Sequence, residues 1–269
     1  MSSERAKPLV IDMHNHPLGE MDYVSDLIRT ADRLGIDKIC LSGLGLDLSS
    51  LGGVSPGNSL VLEAMKRYPE RIIGFGNIRL GVDGPDKVLE LYEQGFKGIK
   101  TTRPLKNYDD EEYDLIYNKI EELRLPILFH TGIVLVTPAD KYENVSSARM
   151  RPIFMDRIAR TFPDLKIFIA HLGTPWFDEA AQMARFHKNV YVDITGSPRG
   201  WSMRKSPQFF DDLFWWENAW EKLVFGTDVH YNDMEEAKKL YHRILDLNNI
   251  PKETQTKIFG ETVANMLGI

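Results

Sequence analysis

The sequence predicts an α/β fold, a single-domain TIM (β/α)8 barrel that spans residues 1–269. Short apolar runs alternate with segments of helical period, there are eight such runs, and 269 residues is an ordinary length for a barrel. Both faces of a parallel barrel sheet are covered, so its strands are expected to be continuously apolar. The predicted strands are Val10–His16, Lys38–Gly43, Ile72–Ile78, Gly98–Thr102, Pro126–Gly132, Lys166–Gly173, Val190–Thr195 and Leu223–Val229.

Helical segments are predicted between these runs. In residues 111–123 and 151–162, apolar side chains recur every three or four positions, which is typical of a helix with one buried face. An open doubly wound sheet is the alternative architecture, because it uses the same alternation. No Gly-x-Gly-x-x-Gly motif follows the first run, so the dinucleotide-binding version of that sheet is disfavoured.

The composition is that of a soluble globular protein, with 43% hydrophobic and 27% charged residues. The net charge of −6 argues against nucleic-acid binding, which normally requires a basic surface. Cys40 is the single cysteine, so an internal disulfide is excluded and the thiol is expected to be reduced and buried. No run reaches about 18 consecutive apolar residues, and residues 1–5 lack an apolar signal core, so we expect a cytoplasmic protein without membrane contact.

Residues that can bind a metal lie at the ends of the predicted strands. His14 and His16 stand two positions apart on the first strand and therefore project to one side. His130, His171 and Asp228 end the fifth, sixth and eighth strands. The carboxyl ends of barrel strands meet at one mouth, so we expect the five side chains to converge. Imidazole nitrogens and a carboxylate can hold Zn²⁺, or Mn²⁺ as the alternative, and an ion supplies the partners that buried polar groups need.

These residues, together with Lys100 at the end of the fourth strand, resemble the pattern of the amidohydrolase superfamily. The motif Phe-Gly-Thr-Asp at 225–228 and the segment 258–267 are similar to the amidohydrolase-related branch, which contains metal-dependent hydrolases and nonoxidative decarboxylases. The resemblance spans essentially the whole chain. It departs at 261–264, where Glu-Thr-Val-Ala replaces the more usual Glu-Asn-Ala. Its motifs are specific for the superfamily and do not define a substrate.

The resemblance implies a particular ligand set for the metal. In the branch, one ion is usually held by residues matching His14, His16, His130 and Asp228. The wider superfamily offers a second arrangement, in which a carboxylated Lys100 would bridge two ions and His171 would become a ligand. For Lys100 itself we favour a salt bridge inside the barrel, with metal bridging as the alternative. We favour the site with one ion.

Two reactions are consistent with such a site. The first hypothesis is hydrolysis of an ester, lactone or amide bond in a small carboxylate-bearing substrate, by water whose pKa the metal lowers towards about 7. Asp228 would accept the proton of the water, and His171 would orient it or stabilise the oxyanion. The alternative is nonoxidative decarboxylation of an acidic substrate, for which an aromatic acid is one candidate, with Asp228 or His171 transferring the proton. The chain is shorter than expected for a decarboxylase of the branch, which favours hydrolysis. A barrel that binds metal without turnover is a third hypothesis.

The loops that follow the strands are expected to set substrate specificity. Arg103 and Arg199 lie on cationic loops, and their guanidinium groups are predicted to bind a substrate carboxylate. Trp176 and Tyr231 are predicted to line the pocket.

Three longer segments have predicted roles outside the strands. The connections 43–56 and 133–150 are long for a compact domain and are expected to cover the site. The segment 209–220 carries more aromatic bulk than one helix face can bury against a barrel. It is either a homodimer interface or part of the ordinary core.

Overall fold

The computed structural model describes residues 8–49, 53–196 and 200–269. The strands are β1 (Ile11–Asn15), β2 (Lys38–Leu41), β3 (Leu46–Leu48), β4 (Gly53–Ser55), β5 (Ile72–Ile78), β6 (Gly98–Thr101), β7 (Ile127–Phe129), β8 (Ile167–Ile169) and β9 (Val190–Val192). The helices are α1 (Met21–Leu34), α2 (Asn58–Arg67), α3 (Pro85–Glu93), α4 (Asp114–Glu122), α5 (Asp140–Glu143), α6 (Met155–Thr161), α7 (Phe177–Phe186), α8 (Pro207–Leu213), α9 (Met234–Leu247), α10 (Lys252–Thr256) and α11 (Thr262–Leu267).

Seven parallel strands form the barrel sheet, in the order β1-β2-β5-β6-β7-β8-β9. The eighth predicted run closes the ring with fewer bonds than a regular strand. Val224 N donates to Val192 O at 2.9 Å, and Met13 N donates to Phe225 O at 2.9 Å, which places residues 223–225 between β9 and β1. The prediction of a single-domain TIM barrel is therefore confirmed.

The eighth run is shorter than predicted because the chain turns before Val229. A Cβ atom on Gly226 would lie 2.9 Å from the Cβ of His14, so a side chain at this position would collide with β1. Two residues later Asp228 has a φ of 49°, in the left-handed region, and both Thr227 N and Asp228 N donate to His14 O. This turn brings the Asp228 carboxylate beside the histidines of β1.

The helices cover the outside of the sheet with one apolar face each. In α1 the buried side chains recur at helical spacing, and the helix ends at Gly35, whose φ of 64° forms a left-handed cap. The predicted helical segments 111–123 and 151–162 contain α4 and α6, each preceded by one turn of 3₁₀ helix. No helix in the described part of the chain is both long and apolar enough to cross a membrane.

The two long connections each contain regular structure. β3 and β4 form an antiparallel hairpin within residues 43–56, with Leu46 opposite Ser55. The connection 133–150 contains α5 and ends in a 3₁₀ turn at Ser147–Met150. Both connections leave the sheet at the carboxyl ends of their strands, where they stand over the mouth of the barrel.

The aromatic segment 209–220 packs largely against its own chain. Phe210, Phe214 and Trp220 are buried. Trp215 is 60% exposed, and the Arg185 guanidinium lies 4.2 Å from the centre of its ring. Ordinary packing therefore accounts for most of the aromatic bulk, and the homodimer interface stays a prediction.

Cys40 lies inside the barrel, and the reactivity of its thiol tests this burial. It is 2% exposed, and burial raises the pKa of its thiol well above the ordinary value, with the Asp12 carboxylate acting in the same direction. A raised pKa lowers the fraction of nucleophilic thiolate, so Ellman's reagent at about pH 8 is expected to react with the native protein much more slowly than with the denatured chain. Equal rates for native and denatured protein would contradict this burial.

Candidate metal centre and active site

His14, His16 and Asp228 meet at the mouth of the barrel. The Nε2 atoms of the two imidazoles lie 3.1 Å apart. Asp228 Oδ1 lies 3.9 Å from His14 Nε2 and 3.6 Å from His16 Nε2. Ligands bound tetrahedrally at about 2.1 Å are separated by about 3.4 Å, so these three atoms have the spacing of ligands around one ion.

The second nitrogen of each imidazole fixes its direction. His14 Nδ1 lies 2.9 Å from Asp193 Oδ2, and His16 Nδ1 lies 2.7 Å from Ser42 O. A carboxylate or carbonyl oxygen can only accept, so Nδ1–H donates in both rings and the lone pair remains on Nε2. The two Nε2 lone pairs therefore point towards the same place, where the lone pair of His14 also accepts from Lys100 Nζ at 3.0 Å.

Asp193 holds this arrangement in place. Its Oδ1 accepts hydrogen bonds from His171 N at 2.7 Å, Thr195 N at 3.0 Å and Thr195 Oγ1 at 2.6 Å. Burial alone would raise the pKa of Asp193, but His14 and then His171 lower it, and the net shift is downward. Asp193 therefore stays ionised and orients His14. Asp193, His14 and His171 form a second group that could hold a metal ion. In this group, however, Asp193 Oδ2 already accepts a hydrogen bond from His14 Nδ1.

His130 and His171 lie next to this centre. His171 Nε2 is 3.2 Å from His130 Nδ1, and His171 Nδ1 is 3.7 Å from Asp228 Oδ2. His130 Nε2 is buried and has no hydrogen-bond partner within the described ranges. A buried nitrogen without a partner costs free energy, and a metal ligand bond would remove that cost.

Three of the four predicted ligands are thus gathered closely. The ligand atoms of His14, His16 and Asp228 all lie within 4.8 Å of one another, whereas His130 is not part of that group and touches His171 instead. The role of His130 as a fourth ligand stays a prediction, which its unpartnered Nε2 supports.

The four imidazoles are neutral near pH 7. Burial lowers the pKa of His14 to about 3 and the pKa of His171 to about 4, and it holds the pKa values of His16 and His130 well below the usual range. The Lys100 ammonium acts in the same direction on all four. Neutral imidazole is the form that binds a metal, so little proton competition is expected at neutral pH.

Lys100 lies inside the same cluster and is 1% exposed. Its Nζ is 3.0 Å from His14 Nε2. Burial lowers the pKa of Lys100 and raises the pKa of Asp228, so each is shifted towards its neutral form. Lys100 thus contacts His14, one of the predicted ligands, and its carboxylation stays a prediction.

The backbone at the mouth adopts a conformation that is rare for residues other than glycine. Arg103, His171, Leu172 and Asp228 have φ values of 53°, 58°, 46° and 49°. Left-handed residues of this kind cost free energy and tend to cluster at functional sites. Here they turn the chain soon after a strand ends, and the side chains of Arg103, His171 and Asp228 line the cavity at the mouth.

A cavity of about 360 Å³ lies over the cluster, within the range of about 300–1,000 Å³ common for small-molecule sites. Its floor contains His16, Lys100, His130, His171 and Asp228. Its walls are largely apolar. The hairpin side supplies Leu44, Leu46 and Leu48, and the opposite side supplies Ile133, Val134, Leu135 and Trp201.

The predicted substrate-binding residues divide into three groups. Arg103 lines the cavity. Trp176 and Tyr231 are not among its described lining residues: the Trp176 ring lies 5.5 Å from the Arg151 guanidinium, and the Tyr231 ring packs at 5.1 Å on Tyr23. Arg199 lies outside the described residues.

Several cavity residues were not predicted from the sequence. Trp201 is the tryptophan that lines the cavity, and its Nε1 donates to Thr195 O at 3.2 Å. His230, Asp233 and Thr195 also line it. Its position after the seventh predicted strand was the one sequence signal for Trp201. Trp176 also follows a predicted strand, so the local sequence does not show which of the two lines the cavity.

The donor set fits a divalent metal ion. Two imidazole nitrogens and a carboxylate oxygen converge, a third imidazole has an unpartnered Nε2, and this combination suits Zn²⁺ or Mn²⁺. The sequence model of the amidohydrolase family Amidohydro_2 matches residues 55–269. The chain belongs to this amidohydrolase family. A search of curated proteins found no match to the chain.

Solved structures similar to this amidohydrolase share its fold. An uncharacterised TIM-barrel protein from Bordetella bronchiseptica is 19% identical, with a TM-score of 0.69 over 97% of this chain and 99% of the other. A 2,6-dihydroxybenzoate decarboxylase from Rhizobium is 16% identical, with a TM-score of 0.66 over 97% and 99%. A 5-carboxyvanillate decarboxylase from Novosphingobium aromaticivorans, complexed with manganese and 4-hydroxy-3-methoxy-5-nitrobenzoic acid, is 17% identical, with a TM-score of 0.62 over 97% and 96%.

Proposed function

We propose that this amidohydrolase is a metal-dependent decarboxylase of a hydroxy-substituted aromatic acid. The observation that carries the proposal is the form of the cavity, which has a polar floor at the metal centre and apolar walls above it. A flat ring fits between the leucines of the hairpin and the opposite wall. Its carboxylate and hydroxyl oxygens then face the floor.

The comparisons support this reaction over hydrolysis. Two of the similar structures are named as decarboxylases of hydroxybenzoates or of carboxyvanillate. Chain length was the reason to favour hydrolysis, and it does not hold, because the alignment covers 99% of the Rhizobium decarboxylase and 97% of this chain. Chain length therefore gives no reason to prefer hydrolysis.

A single Zn²⁺ or Mn²⁺ ion is proposed at the centre. His14, His16 and Asp228 would hold it, with His130 as the fourth ligand, and the ion would supply Lewis acidity towards the oxygens of the substrate. One ion is favoured because the second group of possible ligands uses a hydrogen-bonded His14–Asp193 pair. Elemental analysis is expected to return about one equivalent per chain. Two equivalents would contradict the single-ion site.

Asp228 and His171 are proposed to carry the proton. Asp228 Oδ1 faces His14 and His16, while Oδ2 lies 3.7 Å from His171 Nδ1. In the reaction, the bond between the ring carbon and the carboxylate breaks, CO2 leaves, and the electron pair of that bond remains on the ring carbon. A proton from the Asp228 carboxyl group then bonds to that carbon. The Asp228 carboxylate would regain a proton from solvent through neutral His171, which takes up a proton at one ring nitrogen as it gives up the proton at the other.

Hydrolysis is retained as the second candidate function. The Asp228–His171 pair that can deliver a proton can also accept one from water, so the same floor would serve attack on an ester, lactone or amide. The walls, however, are largely apolar in their described part, which suits an aromatic ring better than the polar groups of an ester, lactone or amide.

The two reactions are separated by their products. Metal-replete protein is expected to release CO2 from a panel of 2-hydroxybenzoates and, in D2O, to place one deuterium on the carbon that lost the carboxylate. A parallel panel of lactones and esters is expected to yield no acid. Acid release without CO2 would favour hydrolysis, and activity on neither panel would favour a metal-binding barrel without turnover.

A further inference from the structure

Arg103 lies in the wall of the cavity, and its guanidinium group already forms an ion pair. It lines the cavity and is only 2% exposed. Its Nη1 forms an ion pair with the Asp140 carboxylate, and its Nη2 donates to Leu135 O at 2.7 Å. Asp140 Oδ1 also accepts from Thr137 Oγ1 at 2.6 Å. The connection that covers the site therefore brings its own carboxylate to Arg103.

A second ion pair, between Arg79 and Glu143, lies next to Arg103. Arg79 Nη1 lies 3.2 Å from Glu143 Oε2, and its Nη2 donates to Glu143 O at 2.8 Å. Glu143 Oε2 also lies 3.9 Å from Arg103 Nη1. Two guanidinium groups thus face two carboxylates, Asp140 and Glu143. These four side chains carry no net charge between them, and the Arg149 guanidinium lies beside them, donating to Pro104 O at 3.4 Å and to Asn144 O at 2.6 Å.

The rest of the wall offers no other cation within the described lining. Lys100 lies on the floor against His14, and the charged residue at the rim is Asp233, an acid. Arg103 Nε is buried and has no hydrogen-bond partner among the residues described. The described part of the wall therefore presents a guanidinium group whose charge Asp140 already balances, and which would satisfy a second carboxylate less well than a free cation.

We propose that the Arg103–Asp140 pair is a specificity determinant that restricts the site to aromatic acids with a single carboxylate. The carboxylate at the floor has the metal centre as its partner. A second carboxylate on the ring would meet the Arg103 guanidinium, whose charge the Asp140 carboxylate already balances, and would therefore lack a free cation as its partner. The part of this inference that concerns turnover rests on the proposed function, whereas the binding preference is independent of it.

Binding of three probes tests the inference on the metal-replete full chain. The probes are 2-hydroxybenzoate, its 5-carbamoyl derivative and its 5-carboxy derivative, the last two having nearly the same shape and differing in charge. Calorimetry is expected to show that the carbamoyl probe binds about tenfold or more tightly than the carboxy probe. In Asp140→Asn, which frees the guanidinium charge, this ratio is expected to fall by about tenfold.

Two further variants separate charge from movement of the covering connection. Ser147→Ala loosens the same connection by removing the acceptor of Val134 N but leaves every charge in place, including Asp140 on Arg103, so the ratio is expected to stay as in the wild type. Adding Arg103→Met to Asp140→Asn is expected to abolish the gain for the carboxy probe.

The outcomes also distinguish this inference from the proposed function. Equal binding of the carbamoyl and carboxy probes to the wild type would overturn the inference whatever reaction is catalysed. An unchanged ratio in Asp140→Asn would do the same. Charge discrimination without CO2 release would overturn the decarboxylase proposal alone, and failure of all three probes to bind would overturn both.

Discussion

Replacing His16 with glutamine is expected to remove most of the bound metal and to lower turnover about 1,000-fold. His16 Nε2 lies 3.1 Å from His14 Nε2 and 3.6 Å from Asp228 Oδ1, so it occupies one corner of the ligand group. A glutamine side chain lacks the fixed imidazole direction that Ser42 O provides through Nδ1. Metal content by elemental analysis and CO2 release from 2-hydroxybenzoates are the two measurements.

His242→Gln is the matched control. His242 lies on α9 and stacks on Phe259 with 4.5 Å between the ring centres, away from the residues that line the active-site cavity. Its metal content and turnover are expected to equal those of the wild type. A His16→Gln protein that kept its full metal content and turnover would rule out His16 as a ligand.

The sequence predicted those parts of the site that depend on the barrel topology. A side chain at the carboxyl end of a parallel strand must lie at the same mouth as the others, so His14, His16 and Asp228 could be grouped across more than two hundred positions. The same argument grouped His130 with His171, which are in contact in the structure.

The walls of the cavity were less predictable, because they depend on loops. Trp176 and Trp201 both follow strands, but only Trp201 turns into the cavity, where its indole bonds to Thr195 O. Arg103 was predicted to meet a substrate carboxylate and lies in the cavity wall. Its ion pair with Asp140, which is 37 positions away, depends on the path of the covering connection. Neither feature leaves a periodic pattern in the sequence.

The left-handed turns were also not predicted. Such turns usually require glycine, yet His171 and Asp228 adopt them with φ values of 58° and 49°. Their conformation is held by tertiary hydrogen bonds: Asp193 Oδ1 accepts from His171 N, and His14 O accepts from Asp228 N. Rules based on local sequence propensity do not include hydrogen bonds formed with strands that are distant in the sequence.

Asp228→Asn is expected to lower turnover by about 100- to 10,000-fold while most of the metal remains bound. The asparagine amide keeps an oxygen that can face His14 and His16, so the ligand group loses charge but not its third member. It cannot hold the proton that Asp228 exchanges with His171, whose Nδ1 is 3.7 Å from Oδ2. The measurements are metal content, kcat for CO2 release, and deuterium incorporation in D2O.

Asp211→Asn makes the same chemical change at an exposed position on α8 and is expected to leave all three measurements unchanged. The comparison with His16→Gln then separates the two roles of the centre. Loss of turnover with metal retained identifies a proton carrier, whereas joint loss of both identifies a ligand alone. If Asp228→Asn released CO2 at the wild-type rate, the proton would have to come from another group, and His171 would be the residue to test next, because its Nε2 and Nδ1 both face the floor of the cavity.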